Sequence, residues 1–221
     1  MGVCINDRLW PSDSSSRALP FVFTCRRGGH AMKPHSDRAP TLETNRLILR
    51  AHRVDDFQAC AAMWCDPIVT KYTSGSPSPP QRTWQRLLAY CGHWSLLGFG
   101  YWAIECKDRG RYVGELGFAD FHRDNVPSIA GIPEMGWALV TEVHGQGYAT
   151  EALRAAADWG DTHLRESRTV CIVHRENLAS IHLARKLGYL TELRAATDDE
   201  PSVVLARDGK AHWNKAEAIH A

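Results

Sequence analysis

The stretch from Glu134 to Ala152 constrains this chain more than any other. Glu134-Met-Gly-Trp-Ala-Leu-Val140 reads as a strand, a short turn carrying Gly145 and Gly147 follows, and then Ala149, Ala152, Leu153 and Ala156 recur at the spacing of one helix face. Strand, glycine turn and helix in that order build an anion site. The first N–H groups of a helix lack intrahelical partners and stand at the positive end of its dipole, and glycines let that backbone approach a phosphate closely. Three ligand chemistries compete for such a site. A P-loop would need Gly-Lys-Ser/Thr at its end, and no lysine follows Gly147. A dinucleotide fingerprint G-x-G-x-x-G is met at Gly145 and Gly147 but has Thr150 in third place, with no acidic residue ending a following strand. The third chemistry is the pyrophosphate arm of coenzyme A.

A second stretch bears on that choice. Val170 to His174 reads as a buried strand, and Asn177 to Tyr189 as a helix with its own punctuation. Asn177 is the N-cap, Arg185 and Lys186 face the negative dipole end, and Gly188 sits where a left-handed residue closes the helix. Gly145-Gln-Gly-Tyr-Ala-Thr-Glu-Ala152 resembles motif A of the GNAT superfamily of N-acetyltransferases, in the form used by the branch of ribosomal-protein N-terminal (alanine/serine) acetyltransferases. Asn177-Leu-Ala-Ser-Ile-His-Leu-Ala-Arg-Lys-Leu-Gly-Tyr189 resembles motif B of the same superfamily, in the right order. Within the pattern Q/R-x-x-G-x-G/A, Gly147 and Ala149 fit and His144 departs. Thr41 to Arg50 is similar to the opening T-x-R-L-x-L-R strand of this branch. The resemblance spans about residues 41 to 207.

It implies an α/β fold with a mixed, mostly antiparallel central sheet, its middle strands splayed apart and flanked by helices. It implies acetyl-CoA as cosubstrate, with no metal, and acetyl transfer by direct attack to a primary amine, either a protein N-terminus or a small molecule. Leu139 and Val140 would lie on the strand edge that binds pantetheine, with a backbone N–H near them for the oxyanion. Gly145, Gln146, Gly147, Tyr148, Ala149 and Thr150 would surround the pyrophosphate. Asn177 would touch the cofactor, though a helix cap needs no ligand to explain it. Glu134 matches the E-x-G-W/Y strand of the branch and is the candidate base, directly or through water; a solvated strand-end carboxylate is the plain alternative, and Glu115 is a second choice. Many relatives protonate the departing thiolate with a motif-B tyrosine; Ala184 stands there, so Ser180 or water takes that role. Cys171 raises the thought of an acyl-enzyme, but a buried structural cysteine is commoner. From a different class comes a non-catalytic acyl-CoA-binding or sensing module, and third a nicotinamide-dependent enzyme using the glycine turn. The branch also admits a homodimer.

Composition excludes other classes. With 26 basic against 25 acidic residues the formal charge is +1, which gives no basic field for nucleic acid. The seven cysteines are scattered with no C-x-x-C pair, so they indicate reduced thiols of a cytoplasmic protein rather than a disulfide framework or zinc site. No stretch approaches the roughly 20 apolar residues of a membrane span. Three divisions follow: residues 1–40 as a disordered or mis-assigned extension, 41–212 as the N-acetyltransferase domain, and 213–221 as a polar tail. A start of translation at Met32 is the sharper reading of the extension, and an organelle transit peptide the other.

Further elements are expected around these motifs. A strand covers residues 41 to 50, a short helix starts at Asp55 and stops at Asp66-Pro67, and a longer helix carries Trp84, Leu87, Leu88, Cys91 and Trp94 as its buried stripe. Residues 101–106 and 112–118 form a hairpin, and two short strands close the chain. The loops at Thr73–Pro80, His122–Pro133 and Ala195–Glu200 would build the acceptor pocket.

Overall fold

Among the described residues, eight strands form one sheet in the order β1-β2-β3-β4-β5-β6-β8-β7. They are β1 (Leu42–Glu43), β2 (Leu47–Arg50), β3 (Tyr101–Cys106), β4 (Arg111–Ala119), β5 (Glu134–Leu139), β6 (Arg168–His174), β7 (Thr191–Arg194) and β8 (Ser202–Asp208). This computed structural model describes residues 39–122, 129–194 and 201–209. The expectations for the N-terminal extension, a start at Met32, the polar tail, and most of the loops at 122–133 and 195–200 fall outside the described residues.

Every neighbouring pair is antiparallel except β5 with β6. That one parallel pair has a single register position, Glu134 opposite Val170, where the Val170 N–H donates to the Pro133 carbonyl at 3.0 Å. By contrast β4 pairs along the whole of β5, and β8 along the whole of β6. Each half-sheet is therefore continuous, and the sheet opens between them toward the C-terminal ends of β5 and β6. This is the splayed, mixed architecture expected from the sequence.

Side-chain alternation divides β5 between two faces. Met135 and Leu139 enter the main core with Ala152, Leu153 and Ala156 of α4 (Tyr148–His163) and Ala184 of α5 (Leu178–Lys186). Ala138, on the other face, packs on Cys60, Met63 and Trp64 of α1 (Phe57–Cys65). The short α2 (Pro67–Thr70) follows α1, and the long α3 (Pro80–Leu97) reaches the second face through Tyr90, which bonds Glu115 of β4, while its Trp94 joins the main core.

Three local expectations need correction. Residues 41–50 form a hairpin rather than one strand, because Glu151 of α4 grips the turn between β1 and β2. It accepts from Thr44 Oγ1 (2.6 Å), the Arg46 N–H (2.8 Å) and Arg46 Nε (2.7 Å). Leu47 and Leu49 do share a buried face. Asp66-Pro67 ends α1 but also starts α2, since the Asp66 carboxylate accepts the Ile68 N–H at 2.8 Å and proline fits the first helical position. The buried row of α3 is Thr83, Leu87, Tyr90 and Trp94, while Leu88 is 51% exposed and Cys91 is exposed. Polar reach turns the helix that way: Tyr90 finds a buried carboxylate on β4 and Trp94 Nε1 donates to the Tyr101 carbonyl at 3.0 Å.

Candidate active site

The gap between β5 and β6 presents unpaired backbone. The Val140 N–H donates to the Val113 carbonyl at 3.0 Å, which makes Leu139 opposite Gly114 a non-hydrogen-bonded pair. In an antiparallel ladder successive residues point their polar groups to opposite sides, so Trp137 and Leu139 direct theirs away from β4 and toward the gap. Of the two residues expected on this edge, Leu139 therefore offers its N–H and Val140 does not. The Leu139 carbonyl is already taken by His144 Nε2 at 3.0 Å; since a carbonyl only accepts, that ring nitrogen carries the proton. His144, the departure from motif A, thus ties the end of β5 to the turn that follows.

Beyond β5 the chain makes a short 3₁₀ turn at Thr141–Val143 and then the glycine turn. Gly145 and Gly147 adopt φ of 74° and 80°, the left-handed region that favours glycine. The first intrahelical bond of α4 runs from the Glu151 N–H to the Gly147 carbonyl at 3.1 Å, so the N–H groups of Tyr148, Ala149 and Thr150 precede it without intrahelical partners. Space is open there. A Cβ on Gly145 would meet nothing within 4 Å, and one on Gly147 only Arg46 Nη2 at 3.5 Å. The Gln146 side chain is spent within the turn, its Nε2 donating to the Glu142 carbonyl at 2.6 Å.

Arg46 is a residue of this site that sequence reasoning passed over as part of a strand. Its Nη1 donates to the Gln146 carbonyl (2.9 Å), its Nε to Glu151 (2.7 Å), and its guanidinium lies 4.3 Å from the Tyr148 ring centroid. A cation is therefore held against an already positive helix terminus. The signal was present in two motifs at once, the arginine of T-x-R-L and the glutamate of Y-A-T-E-A.

Glu134, Asn177 and Ser180 come together in a cleft of about 340 Å³ between the two half-sheets, while the glycine turn lies outside its lining. Glu134 is only 7% exposed, which removes the solvated strand-end carboxylate as an account of it. Asn177 does cap α5: its Oδ1 accepts the Ser180 N–H at 3.1 Å, leaving the amide NH₂ over. Ala184 is fully buried at the position of the missing tyrosine. Burial, and then the charge of Glu134, push the Cys171 thiol up to about 12, so it is protonated at neutral pH and unsuited to an acyl-enzyme. Tyr72 and His174 also line the cleft, their rings 5.4 Å apart.

Glu115 lines the same cleft but is fully occupied. It accepts from Tyr90 Oη (2.6 Å), Trp64 Nε1 (2.9 Å), Tyr112 Oη (2.9 Å) and Cys60 Sγ (3.2 Å), with His52 Nε2 at 3.8 Å, beyond hydrogen-bonding distance. Burial opposes its charge; the neighbouring His52 ring and the Tyr90 and Cys60 donors outweigh it and hold the carboxyl down to about 2. A group so acidic is a poor base near neutrality, and Glu115 is corrected from second-choice base to buried anchor. Among the described residues no group of three or more His, Cys, Asp and Glu could hold a metal ion, and no helix is long and apolar enough to cross a membrane.

A sheet split between two parallel strands, with a glycine turn and helix start beyond the split, defines an acetyltransferase of the GNAT type. The acetyltransferase (GNAT) domain family matches residues 46–190, and the chain belongs to that family as an N-acetyltransferase. It is 31% identical over 153 residues to the uncharacterized N-acetyltransferase p20 of Bacillus licheniformis, covering 69% of this chain and 83% of that protein. The solved acetyltransferase from Agrobacterium tumefaciens str. C58 is 27% identical, covers 80% of this chain and 98% of its own, and superposes with a TM-score of 0.65. The spermidine N-acetyltransferase of Vibrio cholerae, solved in complex with CoA and spermine, shares the fold at 18% identity and a TM-score of 0.57, over 74% of this chain and 94% of that one.

Proposed function

We propose that the chain moves the acetyl group of acetyl-CoA to a primary amine by direct attack, with residues 41–212 as the catalytic domain. One observation carries the reading: β5 and β6 part after a single paired position, so backbone of Trp137 and Leu139 is left for the amides of a pantetheine arm to pair with. The helix start at Tyr148, Ala149 and Thr150, beside Gly145, Gln146 and Gly147, takes the pyrophosphate, with Arg46 behind it. The amide of Asn177 touches the cofactor from the β6 side.

Glu134 acts on the incoming amine. An α-ammonium has a pKa of about 7.7–8.0, so at pH 7 most is protonated and has no lone pair to attack with. Glu134 takes that proton, directly or through a water. As the amine nitrogen bonds to the thioester carbon, the Leu139 N–H meets the negative charge growing on the oxygen. The nitrogen, cationic after the attack, gives up its second proton as the C–S bond breaks, and that proton reaches the leaving thiolate through Ser180 or water; a thiol pKa of about 8.5 demands little help. The five described cysteines are all free, which supports a reducing, cytoplasmic setting.

The test is a calorimetric titration of acetyl-CoA beside a thiol-release assay, on the wild type and Glu134→Gln. The variant is expected to bind acetyl-CoA normally and to lose about 10²–10⁴ in turnover at neutral pH, recovering as pH rises and the amine deprotonates unaided. Full rate across pH in Glu134→Gln would strip that residue of its role. No binding of acetyl-CoA would overturn the reading. Binding with no thiol released by any amine would leave the non-catalytic acyl-CoA module.

A further inference from the structure

The cleft contains a cation with one buried N–H group that the chain leaves without an acceptor. Arg86, on α3, lines the cleft, and its guanidinium carbon lies 3.6 Å from the centroid of the Trp64 ring. Its Nη1 is buried and has no hydrogen-bond partner. The ring that supports it is fixed, because Trp64 Nε1 donates to Glu115 at 2.9 Å. Glu115 itself is saturated by Trp64, Tyr90, Tyr112 and Cys60, and among the described residues no carboxylate pairs with Arg86.

A buried guanidinium N–H without an acceptor is disfavoured unless the working protein supplies one. The planar fork of arginine suits a carboxylate, and stacking on an indole fixes the plane in which the fork is presented. Around it the wall is aromatic, with Tyr72, Tyr90, Tyr101 and Phe121. The same cleft holds Glu134. It therefore carries a carboxylate for an ammonium, a guanidinium for an anion, and apolar surface for whatever joins them.

We propose that the acceptor is an amino acid, its carboxylate paired with Arg86, its amine presented to Glu134 and its apolar part received by the aromatic wall. This rests on the acetyltransferase reading. It disfavours a polyamine, whose second ammonium would face Arg86, and a protein N-terminus, which has an amide where the amino acid has its carboxylate.

Thiol release from acetyl-CoA by the full chain decides it, measured with a panel of amino acids, each beside its own carboxamide, and with spermidine. The best amino acid is expected to exceed its carboxamide by about tenfold or more in kcat/KM, with spermidine lower still. Arg86→Met should lower kcat/KM for the acid by about tenfold to hundredfold, through KM, and for the amide far less. Arg86→Lys, which keeps the charge without the fork, should fall between them and guards against a folding defect in the first variant. A wild type that prefers the carboxamides or spermidine overturns the proposal, as does an acid preference that survives Arg86→Met. Calorimetric titration of the CoA-loaded protein with the N-acetyl amino acids and their amides reads the same discrimination with no turnover. Failure of transfer in every amine counts against the acetyltransferase reading; equal affinity for acids and amides counts against Arg86.

Discussion

The two sides of the proposed site are built by different means. The side proposed for the cofactor is mostly backbone: the gap-facing edge of β5, the left-handed turn at Gly145 and Gly147, and the helix start at Tyr148 to Thr150. Its parts are consecutive in the chain. The side proposed for the acceptor is mostly side chains, gathered around Glu115 from α1, α3 and β4, with Cys60 and Trp64 contributed from 55 and 51 residues away. A site made of backbone geometry is specified by a few glycines and a cap, whereas a site made of distant side chains has no compact sequence form. The first should fail when the turn is filled, the second when its anchor is removed.

Gly147→Glu carries the largest expected effect. It puts a side chain at a φ of 80°, and a carboxylate beside Arg46 Nη2, where the phosphates are proposed to lie. Affinity for acetyl-CoA should fall more than about hundredfold by calorimetry, since like charge replaces an attraction. Folding should survive, because the left-handed strain is only about 1–2 kcal/mol and the added Cβ meets no backbone. Affinity within a few-fold of wild type would show that the turn is fold alone.

Glu115→Leu is the corresponding break on the other side, and it should act on stability. Trp64, Tyr90 and Tyr112 would keep their buried donors and lose the acceptor. A loss of about 3–5 kcal/mol in denaturant unfolding is expected, with Glu115→Gln milder. The sign with pH follows from the depressed carboxyl, which lies at about 2 against an ordinary 4.5. Between those values the unfolded chain binds the extra proton, so this stabilisation is complete above the upper value and is lost as pH falls toward the lower one. The gap in stability between wild type and Glu115→Gln should therefore close over that window. A gap that stays constant down to the lower value would show that Glu115 is not ionised in the fold.

How much was legible divides along the same line. The strand at Glu134, the glycine turn, the Asn177 cap and the left-handed Gly188 were all readable because each is fixed by its neighbours in sequence. Glu115 was visible only as a carboxylate on a strand; nothing local announces that four donors converge on it. Arg86 gave no signal, since its meaning comes from Trp64, one helix away. The stripe on α3 was misread for a related reason. Hydrophobic periodicity counts Leu88 and ignores Thr83 and Tyr90, yet Tyr90 is drawn inward by a carboxylate that periodicity does not see. The hairpin at 41–50 was missed because Glu151, which holds its turn, lies about a hundred residues on.

Asn177 gives the finest test, because it belongs to both accounts. Its Oδ1 caps α5, a role that serine fills as well, while its NH₂ is the part proposed to reach the cofactor. Asn177→Ser should hold the melting temperature within a degree or two, since the exchange of one good cap for another is worth at most about 0.5 kcal/mol. The affinity for acetyl-CoA should fall by about threefold to tenfold, the worth of one hydrogen bond of about 1 kcal/mol. Unchanged affinity would make Asn177 a cap and nothing more, and the site proposed for the cofactor would then be backbone on both sides of the gap. A loss beyond about hundredfold would break the contrast from the other direction, by showing that a single side chain carries a site we ascribe to main-chain geometry.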